Sequence, residues 1–191
     1  MISQSIDKQK EILAAALRLF AAHGFHGTPT SKIAKEAGVA NGTLFHYYKT
    51  KEDLIVSLYL DIKLRMSAHI EATAENAVSH KEKFKSQYVQ VILWSLENRA
   101  EFQFLQQFSA SPYVALLSPE LVKEQLKKTC AEIDDAIKAK VIKKHNPEFV
   151  LVLFTSHTYG LSQYLSQKAI AGEERERLIK ESFEMLWTML S

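Results

Sequence analysis

The chain has 191 residues, of which 47% are hydrophobic and 24% charged, a composition that is ordinary for a globular protein. Its longest apolar run, residues 149–154, is far shorter than the roughly 20 residues that a membrane-spanning helix needs. The N-terminus has no apolar signal-peptide core, and the single cysteine, Cys130, excludes an intrachain disulfide. We therefore expect a cytoplasmic protein without a membrane partner.

The net charge of +2 is too small to indicate a nucleic-acid partner by itself, but it is unevenly distributed. Residues 1–51 contain seven Lys or Arg and three Asp or Glu, so this part carries +4 and the remainder carries −2. A basic N-terminal part on a slightly acidic body is expected of a DNA-reading protein.

The chain predicts an all-α fold, because only four prolines and six glycines interrupt it and few segments alternate apolar and polar residues. Apolar residues recur instead at helical spacing. We predict about nine helices, in chain order: 7–22, two short helices within 28–48, one from 50 to about Val78, and then 83–98, 99–110, 120–144, 148–170 and 174–190.

The two short helices form a predicted helix-turn-helix. Gly38 ends the first of them, because glycine reaches left-handed backbone angles without a Cβ penalty. The small residues Ala34 and Gly38 would let the two helices cross closely. This arrangement presents the second helix to a DNA major groove.

Polar side chains are predicted to cap the helices of this region. Thr30 or Ser31 would cap the first helix of the pair, and Asn41 would cap the second. Thr50 and Asp53 have the spacing of a capping box at the start of the following helix.

Residues 8–59 resemble the TetR family of transcriptional repressors. The resemblance is carried by a Gly-Phe pair after the first helix and by the run TSKIAKEAGVANGTLFHYYKTKEDL. It implies an N-terminal DNA-binding domain at 1–52 and a helical effector-binding and dimerisation domain at 53–191. It further implies a homodimer that binds a palindromic double-stranded DNA operator and is released by a small-molecule effector.

The resemblance also implies which residues contact DNA, namely Thr30, Ser31, Asn41, Gly42, Thr43, Phe45, His46, Tyr47 and Lys51. Within this set, Thr30, Tyr47 and Lys51 can donate hydrogen bonds to phosphates, which fix the register of the protein on DNA. Asn41, Thr43 and His46 can reach base edges, Asn being suited to adenine and the Thr methyl to thymine.

Phe45 departs from the family pattern, which often has tyrosine at this position. Phenylalanine cannot donate a hydrogen bond to a phosphate. We interpret Phe45 as a packing residue; the alternative is an apolar contact with a thymine methyl group.

The C-terminal two thirds are rich in aromatic residues that could line an apolar effector pocket with a few polar side chains. The candidates are Tyr88, Trp94, Phe102, Phe108, Tyr113, Cys130, Asp134, Phe154 and His157. As a group they favour a hydrophobic or aromatic effector, although each aromatic residue taken alone is better explained as part of an ordinary core.

The last two helices contain more apolar residues than one subunit's core should need, and we predict that they form the dimer interface as a two-fold four-helix bundle. The predicted interface residues are Leu161, Tyr164, Leu165, Phe183, Leu186, Trp187 and Leu190. The alternative is that these residues cover the core of their own subunit.

No metal site or cofactor is predicted. His23 and His26 have a possible ligand spacing, but Gly24 interrupts the helix between them and no Cys or carboxylate lies nearby in sequence. We therefore predict a ligand-responsive repressor rather than an enzyme. The alternative is an all-helical small-molecule-binding protein or enzyme with an incidental helix-turn-helix.

Overall fold

The computed structural model describes residues 2–73 and 78–191, and this part of the chain is helical without any strand. The prediction of an all-α fold is confirmed. The helices are α1 (Ile2–His23), α2 (Thr30–Glu36), α3 (Asn41–Tyr47), α4 (Lys51–Thr73), α5 (His80–Glu97), α6 (Arg99–Ser109), a short 3-10 helix (Pro112–Leu116), α7 (Pro119–Lys138), α8 (Pro147–Gln167) and α9 (Gly172–Leu190).

The helices form two compact units. Unit 1 contains the chain up to Arg65 together with Asn98–Leu117, and unit 2 contains Met66–Glu97 and Ser118–Ser191. Helix α4 therefore begins in unit 1 and ends in unit 2. The predicted domain boundary between residues 52 and 53 rests on the family resemblance and stays a prediction. By packing, residues 53–65 and 98–117 belong with the helix-turn-helix.

Aromatic side chains hold unit 1 together. Phe25, directly after α1, contacts Phe20 edge to face at 5.3 Å between ring centroids. It meets Phe104 of α6 at 5.5 Å and Tyr113 of the 3-10 helix at 5.2 Å in the same edge-to-face geometry, which aromatic pairs prefer. These contacts explain why the segment 98–117 packs with α1 although it lies far away in sequence.

The helix-turn-helix has the expected tight turn. Gly38 has a φ of +65°, and the amide of Val39 donates a 3.0 Å hydrogen bond to the carbonyl of Ala34. Ile33 and Ala34 of α2 are buried, as is Leu44 of α3. The small turn and these three apolar contacts fix α3 against α2.

The predicted capping box at α4 is confirmed. The backbone amide of Thr50 donates to the Asp53 carboxylate at 3.0 Å, and the amide of Asp53 donates to the Thr50 hydroxyl at 3.0 Å. The two other caps were predicted wrongly. Helices α2 and α3 start one residue earlier than expected, so the capping positions are Pro29 and Ala40, which have no capping side chain.

A buried threonine connects α1 to α2. The Thr28 hydroxyl lies 2.8 Å from the carbonyl of Gly24 and 3.2 Å from that of Leu19, and the side chain is fully buried. Gly24 directly follows α1, and its carbonyl lies beyond the last helical hydrogen bonds, whereas Leu19 is five residues before Gly24 in the helix. The Thr28 hydroxyl thus hydrogen-bonds to backbone carbonyls at and before the end of α1, and it fixes the segment that leads into the helix-turn-helix.

Unit 2 is built around α8, which packs against α5, α7 and α9, while α5 also packs against α9. Its core consists of buried side chains from all four helices and from the loop between α7 and α8: Phe84, Tyr88, Ile92, Ile133, Ala136, Ile142, Val150, Leu165, Ile179, Phe183, Leu186, Trp187 and Leu190. A buried hydrogen bond of 2.7 Å between the hydroxyls of Ser95 and Ser162 joins α5 to α8.

Helix α7 is shorter than predicted, because it ends at Lys138 rather than at residue 144. Lys140 has a φ of +58°, and the amide of Val141 donates back to the carbonyl of Ala136 at 3.0 Å. This left-handed turn carries Ile142 into the core of unit 2. The apolar residues between 133 and 142 keep helical spacing. The sequence pattern therefore predicted a continuing helix and did not indicate the turn.

Two further features concern the ends of helices. The predicted extension of α4 to Val78 crosses residues 74–77, which lie outside the described residues, and Val78 itself is not helical. At the other end of the chain, the backbone amide of Lys143 donates to the carbonyl of Leu190 at 2.7 Å, and its ammonium lies 3.1 Å from the carbonyl of Met189.

Among the helices that the structure describes, none is both long enough and apolar enough to cross a membrane.

The Thr28 hydroxyl predicts a measurable contribution to stability. We expect Thr28→Val to lower the free energy of unfolding by about 1–3 kcal/mol, because the two carbonyls lose a buried donor while the side-chain shape is retained. Urea-induced unfolding followed by circular dichroism measures the change. The control is Thr28→Ser, which keeps the hydroxyl and should restore most of the difference. Equal stability of the wild type and Thr28→Val would contradict this role.

Candidate DNA-binding surface and effector-binding residues

Helix α3 has one face in the core and another at the surface. Leu44 and the following Tyr48 are buried, and they hold the helix against the rest of unit 1. The predicted DNA-contacting residues lie around the remainder of the helix: Asn41, Gly42, Phe45 and His46 are exposed, while Thr43 and Tyr47 are half-buried. The structure therefore brings the base-reading and phosphate-binding candidates of α3 together on one accessible surface.

Phe45 does not pack into the core. Its side chain is 37% exposed, which contradicts our interpretation of this residue as a packing residue. Leu44 occupies the inward position, and Phe45 follows about 100° further around the helix. The apolar contact with a thymine methyl group is the alternative that the exposure leaves available.

Basic side chains surround α3. Lys32 and Lys35 of α2 and Lys49 after α3 are exposed, and none of them has an ion-pair partner among the described side chains. The acidic Glu36 on α2 is paired with Arg18 of α1 at 3.3 Å. The cations near α3 are thus available for phosphates, while the neighbouring carboxylate is already paired.

The two candidates at the start of α2 are accessible. Thr30 is half-buried and Ser31 is exposed. Because neither side chain caps the helix, both hydroxyls can bind a phosphate.

Lys51 has a second role besides its predicted phosphate contact. The half-buried side chain donates to the backbone carbonyl of Phe25, the residue at the centre of the aromatic contacts of unit 1. An ammonium carries three hydrogens, so one bond to a carbonyl leaves two for a DNA phosphate. Lys51 is therefore fixed in position by the fold.

Of the predicted effector-binding residues, Tyr88, Phe154 and His157 lie together in unit 2. The Tyr88 hydroxyl is 2.8 Å from Nδ1 of His157 and 2.7 Å from the hydroxyl of Ser182, and its ring meets Phe154 edge to face at 5.6 Å. Burial raises the pKa of Tyr88 and lowers that of His157, so both groups are neutral near pH 7. They form an uncharged polar cluster in largely apolar surroundings.

Ser182 is the member of this cluster that the sequence analysis missed. It lies on α9 directly before the buried Phe183 and three residues after the buried Ile179. A hydroxyl at the edge of an apolar helical stripe is the signal that could have identified it.

The remaining candidates do not join this cluster. Trp94 is buried on α5, and Cys130 is half-buried on α7, where burial raises the pKa of its thiol. Asp134 is paired with Lys138 at 2.6 Å at the surface. The other three candidates, Phe102, Phe108 and Tyr113, belong to the packing of unit 1. The nine residues therefore do not form one continuous pocket lining within either unit.

Most of the predicted dimer-interface residues lie in the core of their own subunit. Five of the seven are buried within unit 2: Leu165, Phe183, Leu186, Trp187 and Leu190. The alternative stated for these residues, that they cover their own subunit's core, describes these five correctly. Leu161 is half-buried, and Tyr164 remains 48% exposed.

Helix α8 has another apolar surface besides its core-facing side. Phe149 is 51% exposed and Val152 is 57% exposed, and these residues share the accessible side of α8 with Ser156, Gly160 and Tyr164. Between residues 149 and 167 the helix contains no Asp, Glu, Lys or Arg. An exposed helical surface of this length without charge is characteristic of an interface.

The histidine pair was also located. His23 and His26 are exposed on either side of Gly24, which has a φ of +70°. Within residues 2–73 and 78–191, no group of three or more His, Cys, Asp or Glu side chains is arranged to hold a metal ion.

Comparison with known proteins identifies the N-terminal part. Residues 12–58 match the family model of bacterial regulatory proteins of the tetR family. The fatty acid metabolism regulator protein of Bacillus subtilis is 38% identical over 82 residues, which are 43% of this chain and 42% of that protein. The chain thus matches less than half the length of this relative. A second B. subtilis protein, the HTH-type transcriptional regulator YhgD, is 26% identical over 150 residues, or 75% of this chain and 76% of its own.

Solved structures extend the similarity to the whole fold. A protein from Shewanella sp. PV-4 assigned to the tetR family of transcription regulators superimposes with a TM-score of 0.87 and 27% identity, covering 96% of this chain and 97% of its own. A TetR-family transcription regulator from Marinobacter aquaeolei VT8 has the same fold, with a TM-score of 0.86, 23% identity and coverage of 100% and 98%. These relatives are regulators rather than enzymes, so the alternative of an enzyme has no support. Residues 12–58 thus match the tetR family of bacterial regulatory proteins, and the chain as a whole has the fold of the TetR-family transcription regulators to which it is similar.

Proposed function

We propose that this protein is a repressor that binds a palindromic DNA operator as a homodimer and is released by a small hydrophobic effector. The observation that carries the proposal is the accessible surface of α3. It presents Asn41 and His46 for base contacts, and it is flanked by lysines without ion-pair partners. One such helix per subunit would enter the major groove of each operator half-site.

In this proposal, different residues contact the phosphates and the bases. Thr30, Ser31, Tyr47 and Lys51 would bind phosphates and set the register. Asn41, Gly42, Thr43, Phe45 and His46 would face the bases; the glycine permits a close backbone approach, and no atom lies within 4 Å of the Cβ that another residue would add there.

Dimerisation is supported by the uncharged exposed surface of α8. A two-fold interface places the same helix of both subunits against each other, so a surface without charge avoids pairing like charges across the axis. The small residues Ser156 and Gly160 would permit close approach of the two helices. We assign the interface to Phe149, Val152 and Tyr164 together with Leu161, in place of the buried residues of α9.

A hydrophobic effector is supported by the composition of the chain and by one relative. The B. subtilis protein that is similar over 82 residues is a regulator of fatty acid metabolism. An effector releases DNA only if it binds the conformation with weak DNA affinity more tightly than the other. Helix α4 runs without a break from one unit into the other and is one of the covalent connections through which such a preference would reach the helix-turn-helix.

The proposed function is tested by selecting operators from a random double-stranded DNA library with the purified protein. We expect enrichment of an inverted repeat whose half-sites lie about one helical turn, or a multiple of it, apart. A library that shows no enrichment above non-specific binding would contradict repression through a specific operator.

Base reading by α3 is tested with Asn41→Ala and His46→Ala on the selected operator. We expect each variant to lose about 1–3 kcal/mol of discrimination at one base position, because its hydrogen bonds to that base edge are removed. Fluorescence anisotropy on single-base operator variants measures this. Lys49→Ala is the control, and it should weaken binding to all sequences alike. Uniform losses for Asn41→Ala and His46→Ala would exclude a base-reading role.

The phosphate contact of Lys51 is tested by the salt dependence of binding. We expect Lys51→Ala to reduce the slope of log K against log salt concentration by about one unit, because one fewer counterion is released. Lys123→Ala, which removes an exposed lysine of α7 in unit 2, should leave the slope unchanged. Thermal unfolding of both variants controls for the lost bond to the Phe25 carbonyl. An unchanged slope for Lys51→Ala would remove Lys51 from the DNA contacts.

The dimer interface is tested with the double variant Val152→Glu and Tyr164→Glu. Because both side chains are exposed, we expect a folded monomer with weakened operator binding, produced by like charges facing each other across the axis. Sedimentation velocity gives the oligomeric state. Leu64→Glu replaces another exposed apolar residue, on α4, and should remain dimeric. A double variant that remains a dimer with full operator affinity would overturn the assignment.

A further inference from the structure

A histidine, a tyrosine and a serine meet at one point between three helices of unit 2. Nδ1 of His157 on α8 lies 2.8 Å from the hydroxyl of Tyr88 on α5 and 3.4 Å from the hydroxyl of Ser182 on α9. The two hydroxyls are 2.7 Å apart. Each of the three groups is thus within hydrogen-bonding distance of the other two. We call them the His157 cluster, and it joins α5, α8 and α9.

The surroundings of the His157 cluster are aromatic. The ring of Tyr88 contacts Phe154 at 5.6 Å and Phe183 at 5.5 Å between centroids. Tyr88 and Phe183 are buried, while His157 and Ser182 are half-buried. A charge at this point loses part of its hydration, so the surroundings favour the neutral imidazole.

The number of protons in the cluster favours the neutral imidazole as well. When the imidazole proton is on Nε2, Nδ1 accepts a hydrogen bond from Tyr88, and the oxygen of Tyr88 accepts one from Ser182. A second proton, on Nδ1, turns this atom from an acceptor into a donor. One of the two hydroxyl protons then has no acceptor within the cluster, whichever way the hydroxyls turn. Protonation of His157 therefore adds a charge and removes a hydrogen bond.

The helices around His157 supply no free carboxylate that would compensate this charge. Helices α5, α7 and α9 pack against α8. Apart from Tyr88, their described titratable side chains that are not fully exposed are His80, Lys81 and Lys85 on α5, Cys130, Glu132 and Asp134 on α7, and Arg175 and Glu184 on α9. The three carboxylates among them are already paired, namely Glu132 with Lys83 at 3.1 Å, Asp134 with Lys138 at 2.6 Å and Glu184 with Lys81 at 2.7 Å.

The positions next to the cluster lead to the same conclusion. One helical turn from His157, α8 has Leu153, Phe154, Gly160 and Leu161, none of which ionises. Glu181, beside Ser182 on α9, is exposed and pairs with Arg177 at 3.0 Å. Burial alone lowers the pKa of His157.

The stability of the fold therefore depends on pH. An unfolded histidine takes up a proton near pH 6.5, whereas His157 in the fold does so only at a lower pH. Below about pH 6.5 the unfolded chain thus binds more protons than the folded one, and acid lowers the free energy of unfolding. Above this pH both forms of His157 are neutral, and its contribution does not change.

His157 also lies at the edge of the uncharged exposed surface of α8. Leu161 follows four residues later and Tyr164 seven residues later, so the three side chains share one side of the helix. Leu161 and Tyr164 belong to the dimer interface assigned above. A two-fold axis would present a charge on His157 twice, once from each subunit.

We propose that His157 makes this protein responsive to pH: its protonation loosens α9 from α5 and α8, weakens the dimer interface and thereby releases the operator in mildly acidic solution. The inference deepens the proposed function, since the effects on the dimer and on the operator rest on that function. The effect on the packing of unit 2 does not depend on it.

The proposal is tested by thermal unfolding of the full-length protein at pH 7.5 and pH 5.5, for the wild type and for His157→Gln. Glutamine takes up no proton, so we expect the melting temperature of the wild type to fall by about 2 °C or more beyond the fall in the variant. The six other histidines are common to both proteins. The control His26→Gln, exposed in unit 1, should fall as the wild type does. An equal fall in the wild type and His157→Gln would overturn the proposal.

A second measurement needs no substitution at His157. Hydrogen–deuterium exchange at Cε1 of the imidazole, read by mass spectrometry over a series of pH values, gives the pKa of His157 in the wild type. We expect a value below about 6.5, and a value at or above it would overturn the proposal. Tyr88→Phe removes the hydroxyl that donates to Nδ1 and should raise this pKa. An unchanged value in Tyr88→Phe would exclude the cluster as its cause.

The functional consequence is measured with the selected operator at both pH values and constant ionic strength. From pH 7.5 to 5.5 we expect the wild type to lose about tenfold more operator affinity than His157→Gln, because one pKa unit corresponds to a tenfold change. Sedimentation velocity without DNA should show dissociation of the wild type and a dimeric variant at pH 5.5. Equal losses of affinity in the two proteins would exclude release of the operator through His157.

The unfolding and exchange measurements contain no DNA, so they separate the two proposals. If the operator selection fails but His157→Gln removes the pH dependence of unfolding, the repressor function is wrong and the response of unit 2 to pH stands. If operators are selected but His157→Gln changes neither unfolding nor operator binding at pH 5.5, the pH response is wrong and the repressor function stands.

Discussion

The helix-turn-helix depends on the position of one aromatic ring. Phe25 lies directly after α1 and contacts Phe20, Phe104 and Tyr113 in edge-to-face geometry, so a single side chain joins the first helix to a segment about eighty residues further along the chain. The carbonyl of the same residue accepts a hydrogen bond from Lys51 at the start of α4. The support of the recognition helix is therefore assembled from three separate parts of the sequence. Phe104 and Tyr113 thus add to the core that the DNA-binding motif forms from its own helices.

The motif itself could be read from the sequence because its determinants are local. Gly38 needs a left-handed φ, Thr50 and Asp53 cap each other across three residues, and Leu44 and Tyr48 are one turn apart. Interactions between residues that are close in the chain leave a pattern that can be recognised in the sequence. The capping positions of α2 and α3 were predicted wrongly because the prediction looked for a polar capping side chain, whereas Pro29 and Ala40 stand at these positions and supply none.

For the chain after the helix-turn-helix, the sequence predicted the helices but not which of them contact one another. Phe183 and Trp187 have the spacing of an interface stripe and of a core stripe alike, and only the packing of α5 and α8 against α9 shows that they are core. Likewise, Phe102 and Phe108 were grouped with Tyr88 by composition, although their segment packs with the helix-turn-helix. Apolar periodicity shows that a side chain is buried; it does not show which surface buries it.

The positive charges of unit 1 differ in what compensates them. Arg18 and Arg65 are paired with carboxylates, Lys51 is bound to a carbonyl, and the lysines around α3 are free in solvent. A solvated cation costs little in the absence of DNA and gains from a phosphate. Net charge alone does not separate these cases, because each lysine adds the same +1.

The end of α9 has a consequence for how the protein can be handled. The last carbonyls of a helix normally have no partners within the protein, but here the carbonyls of Met189 and Leu190 accept hydrogen bonds from Lys143 in the loop before α8. The last turn of α9 is thus bound to a loop that also holds Ile142 in the core of unit 2. An affinity tag joined directly to Ser191 would need a flexible spacer to leave that attachment intact.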